Sequence, residues 1–329
     1  MVFIMEYGLF LAKTVTLVFA IALIIGLIAN AAGKSKSKKG QLHCTDLTKH
    51  YQQQQQAVQE QLLDKKSFKQ WLKQHKTPEN KASRVFVLEF HGGIQAKETE
   101  ALREEVTAIL GVATAQDEVL LKLESGGGVV HGYGLAASQL TRLKQAGIPL
   151  TVAVDKVAAS GGYMMACVAE KILAAPFAII GSIGVIAQLP NFNKVLKQHN
   201  VDFEQFTAGE FKRTVTLFGE NTDKGRQKFQ QELEDTHQLF KQFVSHQRPQ
   251  LDIEQVATGE HWFGYQALDL KLIDKLQTSD DYLLSALERA HIVAFSFKQP
   301  KGLAEKIGQG SAELCSAVWQ KLSDSSRWF

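Results

Sequence analysis

Apolar and polar positions divide the chain into three textures. Gly8 to Ala29 is almost wholly apolar, twenty-two residues with Lys13 as the one charge. At about 1.5 Å per residue such a run covers the roughly 30 Å hydrocarbon core of a bilayer. It predicts a transmembrane helix, with the lipid bilayer as a partner through residues 8–29. A cleavable leader is the rival reading, because Ala29-Asn30-Ala31 has the A-x-A form. A retained anchor is preferred: the run is long for a leader, and the residues before it carry Glu6 but no Lys or Arg. Gln41 to Lys81 is polar and glutamine-rich. Leu62, Leu63, Phe68, Trp71 and Leu72 still leave it a weak apolar stripe, so part of it reads as helix. Thr77-Pro78-Glu79-Asn80 breaks that helix.

From Arg84 short apolar runs alternate with helical stretches. Val85–Phe90 is rich in β-branched and aromatic residues and ends at Gly92-Gly93. A helical stretch follows from Lys97 to Leu110, then Val119–Leu123, a second helix over 133–145, and Leu150–Val154 leading to a third helix after Gly162. Strands alternating with helices predict parallel β-units in a sheet covered by helices, an α/β fold. Functional sites in such folds sit in the loops after the strands, and three of these loops are glycine-rich. Ala174 to Pro190 is uncharged but too short and glycine-broken for a second span, so it reads as a buried core segment. Thr222 to His246 reads as an amphipathic helix, with Phe229, Leu233, Phe240 and Phe243/Val244 on the face of a core or subunit contact. The tail after Thr278 reads as two further helical stretches. The expected organisation is a membrane anchor at 1–33, a basic and Gln-rich linker at 34–83, a principal domain at 84–277 and a helical extension at 278–329.

Composition trims the possibilities. The 329 residues are 45% apolar and 22% charged, which excludes wholesale disorder and a multi-span membrane protein. A net charge of +3 gives no reason to expect nucleic acid as a partner. Cys44, Cys167 and Cys315 are too few and too scattered for a disulfide scaffold or a four-cysteine zinc site. Lys34, Lys36, Lys38 and Lys39 follow the apolar run and bias that flank toward the cytoplasm.

Three features can carry chemistry. Ser160 stands just past a strand and at the start of a helix, where backbone N–H groups and the helix dipole gather. Its surroundings nearly match a nucleophile elbow, with Ala158 in place of the first glycine; the bland reading is a helix cap. Ser125-Gly126-Gly127-Gly128 follows a strand and can turn N–H groups toward a substrate, or be a simple turn. Thr207 to Arg213 holds Lys212 among apolar neighbours beside Arg213. A buried, neutral lysine can act as base to a serine, whereas most lysines only solvate a surface. Two rivals stand beside this reading. One is a Ser-Asp-His esterase using His91-Gly92-Gly93 as an oxyanion loop and His199, His237, His246, His261 or His291 as base. The other is a non-enzymatic, membrane-anchored assembly module.

Taken together, the strand-S-G-G-G loop, AASGGYMMA, GSIGVI and TAGEFKR resemble the signal peptide peptidase A family of serine–lysine membrane proteases, in family order. The resemblance covers Arg84 to about Leu276. It implies that Ser160 is the nucleophile, Lys212 the general base, Ser182 the hydroxyl that orients the lysine, and Gly128 and Gly161 the oxyanion donors. It implies a crotonase-like fold of stacked β-β-α units shared with Clp-type proteases, homo-oligomeric rings or domes, and a place in the bacterial inner membrane. Small membrane-derived peptides, signal-peptide remnants among them, are the implied substrates, with no metal or cofactor. Family proteases of this kind are often drawn on the exported side, against the bias of the lysines. Two departures are visible: Gly126 replaces a usual proline, and Lys271-Leu272-Ile273-Asp274 replaces G-L-V-D.

Overall fold

The structure, a computed structural model, describes residues 2–32, 40–75 and 83–298. The lysines at 34–39, the break at 77–80 and the tail from 299, with Cys315, lie outside the described residues. The chain falls into two units. The first contains α1 (Val2–Ala32), a 31-residue helix. Among the described residues it is the one helix long and apolar enough to cross a membrane, and its span Glu6–Leu23 is unburied.

The second unit runs from Leu42 to Phe297. It opens with β1 (Gln41–Asp46), α2 (Leu47–Leu62) and α3 (Lys65–Gln74). Asp46 and Asp64 cap the two helices by accepting backbone N–H bonds from Lys49 and from Lys66 and Ser67, which splits the Gln-rich stretch in two. The central units follow: β2 (Arg84–Gly92), α4 (Thr99–Leu110), β3 (Glu118–Ser125), α5 (Val130–Gln145), β4 (Leu150–Val154), β5 (Val157–Ala159), α6 (Gly161–Ala166), β6 (Lys171–Ala174) and β7 (Ile179–Gly181). The remainder is α7 (Asn193–Gln198), α8 (Asp223–Gln247), α9 (Ile253–Val256), β8 (His261–Phe263), α10 (Gly264–Asp269), β9 (Lys275–Leu276), α11 (Ser279–Ala286) and β10 (His291–Lys298).

One sheet of ten strands in the order β1-β10-β2-β3-β4-β6-β9 carries this mixed α/β fold, with β5, β7 and β8 branching from β3. β10, β2, β3, β4, β6 and β9 pair in parallel, as the alternation of strands and helices predicts. Successive residues point to opposite faces. Phe86, Leu88, Phe90, Val119, Leu121 and Leu123 pack on one face under α4, α5, α6 and α8. Val85, Val87, Leu120, Ala153 and Leu173 pack on the other against Tyr282, Leu283 and Ala286 of α11. A sheet buried on both faces needs apolar residues at every step, which is why Leu150–Val154 reads as a continuous apolar run.

Of the two helical stretches expected after Thr278, the described residues include one helix followed by a strand, and the rest of the tail lies outside them. Residues 279–286 are helical, but 291–298 form β10 and pair with β2, His291 opposite Arg84. Ile292 and Val293 are β-branched and buried, and the backbone N–H of Ile292 is satisfied by Thr48 Oγ1 of α2. The compact unit thus takes in chain on both sides of 84–277. Ala174 to Pro190 is core only in its first half: Ile180 and Ile183 are buried, whereas Ile186 and Leu189 are exposed once β7 has lost its partners.

Candidate active site

The sheet forks at its centre. β4 pairs with β3 over Val119–Lys122, and β5 pairs with β3 at Ser125, opposite Ala158. The fork brings the end of β5 beside the Ser125–Gly128 loop. β7 lies in parallel on the other side of β5, with Ala159 opposite Gly181. The residues that follow this pair are Ser160 and Ser182, so the two serines leave adjacent strands side by side.

Ser160 is held in a conformation that L-residues avoid, φ 53° and ψ −118°, and Ser182 also has a positive φ of 51°. The backbone around them is pinned. The Ser160 N–H donates to Gly181 O at 2.8 Å, Met164 N–H donates to Ser160 O at 2.9 Å, and Ser182 N–H donates to Glu260 O at 2.7 Å. Ser160 sits at the N-terminus of the fully buried α6, yet its side chain makes no capping bond. The helix-cap reading therefore fails: the hydroxyl is left for the cavity it faces. Strain at a strand-to-helix serine with an uncommitted hydroxyl is the local geometry of a nucleophile elbow.

That cavity, of about 320 Å³, is lined by Ser160, Gly128, Gly161 and Gly184 together with Val130, Met164 and Val185. Thr236, Leu239, Phe240 and Phe243 of α8 close it. Its wall is apolar and carries no titratable side chain among the lining residues. The α8 contribution is legible in the sequence only as the stripe of a core or subunit contact. The signal that it also meets a site is Leu239, a large apolar residue off that stripe and 66% exposed.

The glycines are required by space. A Cβ at Gly127, where φ is +90°, would stand 2.8 Å from Ala159 O, Gly161 N and Ser160 Cβ. A Cβ at Gly128 would strike the Ile94 backbone, and one at Gly162 would stand 2.5 Å from Ser125 O. The Gly126–Gly128 loop and the Ser160 turn are thus packed backbone to backbone, which only residues without side chains permit.

Of the five expected site residues, Ser160, Gly128 and Gly161 line one cavity, and Ser182 directly follows β7, the strand paired with β5. Lys212 does not line the cavity. Every residue from Val201 to Arg213 is exposed, and the Lys212 backbone closes a turn onto Gly209 O at 3.2 Å. The expected burial of Lys212 is therefore absent from the single chain. Its neighbours are tied elsewhere: Glu210 pairs with Lys224, and Phe211 lies under the ammonium groups of Lys224 and Lys228. No hydrogen bond or ion pair of the Lys212 ammonium occurs among the described residues.

The histidines of the esterase reading fare worse. His91 is exposed and 3.5 Å from Glu124, on the rim of a different cavity. His237 bonds the Ile183 carbonyl at 3.1 Å, and no histidine lines the Ser160 cavity. Among the described residues no cluster of histidine, cysteine and carboxylate side chains has the form of a metal site.

The chain is similar to known proteases along most of its length. Residues 2–140 match the model of the peptidase family S49 N-terminal region, and residues 142–292 match that of peptidase family S49. The probable protease SohB of Haemophilus influenzae is 52% identical over 326 residues, covering 93% of this chain and 92% of that protein. The probable protease SohB of Buchnera aphidicola subsp. Schlechtendalia chinensis is 49% identical over 302 residues, covering 86% and 99%. Protease 4 of H. influenzae is 26% identical over 205 residues, 60% of this chain and 33% of its own length. Two consecutive family matches, and similarity to the probable protease SohB of H. influenzae over more than nine-tenths of both chains, make the chain a member of peptidase family S49.

Proposed function

We propose that the chain is a membrane-anchored serine endopeptidase in which Ser160 is the nucleophile and Lys212 the general base. The observation that carries the reading is the strained Ser160, its hydroxyl uncommitted and facing a cavity edged by Gly128 and Gly161. Neutral Lys212 takes the Ser160 proton as Oγ attacks a peptide carbonyl. The N–H groups of Gly128 and Gly161 hold the oxyanion, and Ser182 orients the lysine. The Lys212 ammonium then protonates the leaving amine, and water repeats the sequence on the acyl-enzyme.

The cavity has no base of its own, so Lys212 must be delivered to it. The segment that carries Lys212 also exposes Val201, Phe203, Phe206 and Phe211, with Ile186, Leu189 and Phe192 nearby in the chain. So many exposed apolar side chains in one segment suit a surface that another copy covers. In our reading the chain assembles into a homo-oligomer, a ring or dome, and Lys212 meets the Ser160 of a neighbouring copy. α1 holds the assembly in the inner membrane through residues 8–29. The apolar cavity suits small or membrane-derived peptides such as signal-peptide remnants.

Mixing two inactive chains tests the dyad. Ser160→Ala and Lys212→Ala should each abolish peptide hydrolysis. Co-assembly of the two should restore a fraction of it, because some neighbouring pairs then hold both residues intact. Two inactive variants without recovery would put both residues in one chain, and a fully active Ser160→Ala protein would end the reading.

A further inference from the structure

The glycine loop that supplies Gly128 has no side chains of its own to hold it, yet one buried pair of hydroxyls reaches it from behind. Ser125, the last residue of β3, is 2% exposed, and Tyr133, in the first turns of α5, is 0% exposed. Their hydroxyls hydrogen-bond each other. Ser125 Oγ also lies 3.1 Å from Gly92 O and accepts the Gly127 N–H at 3.1 Å. The Tyr133 hydroxyl lies 2.9 Å from Gly93 O. Two hydroxyl protons are distributed over these oxygens, and in either arrangement the Gly127 N–H keeps its acceptor.

The pair is wedged among all three glycine-rich turns. A Cβ at Gly92 would stand 2.6 Å from the Tyr133 hydroxyl and 2.9 Å from Ser125 Oγ. One at Gly161 would strike the Tyr133 ring, and one at Gly162 would stand 3.3 Å from Ser125 Cβ. The ring of Tyr133 therefore backs the Ser160 turn, while its hydroxyl, through Ser125, grips the loop one residue before Gly128. Burial pushes the Tyr133 hydroxyl above the ordinary phenol range; the bond from Ser125 opposes this and Glu98 adds to it. The group thus stays a protonated donor at neutral pH.

We propose that Ser125 and Tyr133 are positioning residues that hold the Gly128 and Gly161 N–H groups convergent on one point beside Ser160. The inference rests on the reading of Ser160 as nucleophile. Its physical basis is preorganisation: a donor stabilises an oxyanion only when already aimed at it, and a glycine loop left to itself samples many directions. A merely structural buried pair would contribute stability and nothing to the chemical step.

Tyr133→Phe keeps the ring and removes the hydroxyl, and Ser125→Ala removes the acceptor of Gly127. In the full-length protein, kcat should fall about 10- to 100-fold for each, short of the loss of a whole oxyanion donor, with KM within about twofold. Affinity for a peptide aldehyde, which binds as a tetrahedral adduct, should fall in parallel with kcat. Affinity for the product peptide should not change. A lowered melting temperature with kcat and aldehyde affinity at the parent level would overturn the proposal, as would a rise in KM at unchanged kcat. If Tyr133→Phe fails to fold, Ser125→Ala decides by the same readouts. Ser160→Ala runs beside them: activity there removes the nucleophile reading, whereas an inactive Ser160→Ala with a fully active Tyr133→Phe removes only the positioning role.

Discussion

A methyl group added at Gly126 meets open space, with nothing within 4 Å, while one added at Gly127 meets three backbone or Cβ atoms at 2.8 Å. Gly126→Ala should therefore stay within about 0.5 kcal/mol of the parent in stability and keep its activity. Gly127→Ala should lose about 1–3 kcal/mol through overpacking and an unfavourable positive φ. Its peptidase rate should fall at least as far as for loss of an oxyanion donor, on the order of 100-fold. Parallel melting curves and rate assays on the two variants would check both; equal behaviour would contradict the packing of this loop against the Ser160 turn. The residue that departs from the usual proline is thus the one the site leaves open. Cys167 shows the same dependence on surroundings. Burial pushes its thiol up to about 12, which makes it an inert core residue. Ser160, by contrast, was legible as a candidate from its A-S-G-G-Y setting, but whether it caps a helix or faces a cavity depends on a φ that no residue pattern displays.

At the scale of elements, the start of β2 is fastened to the loop before β3. Arg84 donates to Asp117 from its backbone N–H at 2.9 Å and from its guanidinium at 2.6 Å, and Thr114 adds bonds from its N–H and hydroxyl. Burial of Asp117 opposes its ionisation, but the bonds from Arg84 and Thr114 outweigh this and hold the carboxyl well below the usual carboxylate range. Asp117→Ala should cost about 3 kcal/mol at pH 7, because it leaves the arginine and the backbone donors without their acceptor. A depressed folded value means that this stabilisation is fully present above the unfolded value, near 3.9, and is lost as pH falls through the folded one. Denaturant titrations at pH 7 and pH 3 should show the gap between the parent and Asp117→Ala narrowing at the acid end. A gap that widens there would contradict the assignment. Strand and helix boundaries in the central units followed the apolar runs closely, because a sheet covered on both faces imprints itself as continuous hydrophobicity. β10 escaped detection because His291–Lys298 is only partly buried and so lacks a continuous apolar run, and its place beside β2 is set by pairing across the whole fold.

At the scale of the molecule, α1 and the unit from Leu42 to Phe297 divide the work. A chain beginning at Gly40 should keep the melting temperature of the folded unit and leave the membrane fraction for solution. Sedimentation with lipid vesicles, followed by melting of the soluble protein, measures both halves of this expectation; continued pelleting with vesicles would show that α1 is not what holds the protein there. The amino-acid sequence alone determined the elements whose cause is local. These are a run apolar enough to span a bilayer, strands hydrophobic at every step, glycines where side chains are excluded, and a serine in a nucleophile's setting. Tertiary structure decided what depends on chain segments meeting: the fork that sets Ser160 beside Gly128 and Ser182, the α8 wall of the cavity, the hydroxyl pair behind the loop and the exposure of Lys212. Periodicity records how a residue relates to its immediate neighbours, whereas these arrangements arise from strand register and packing between residues far apart along the chain.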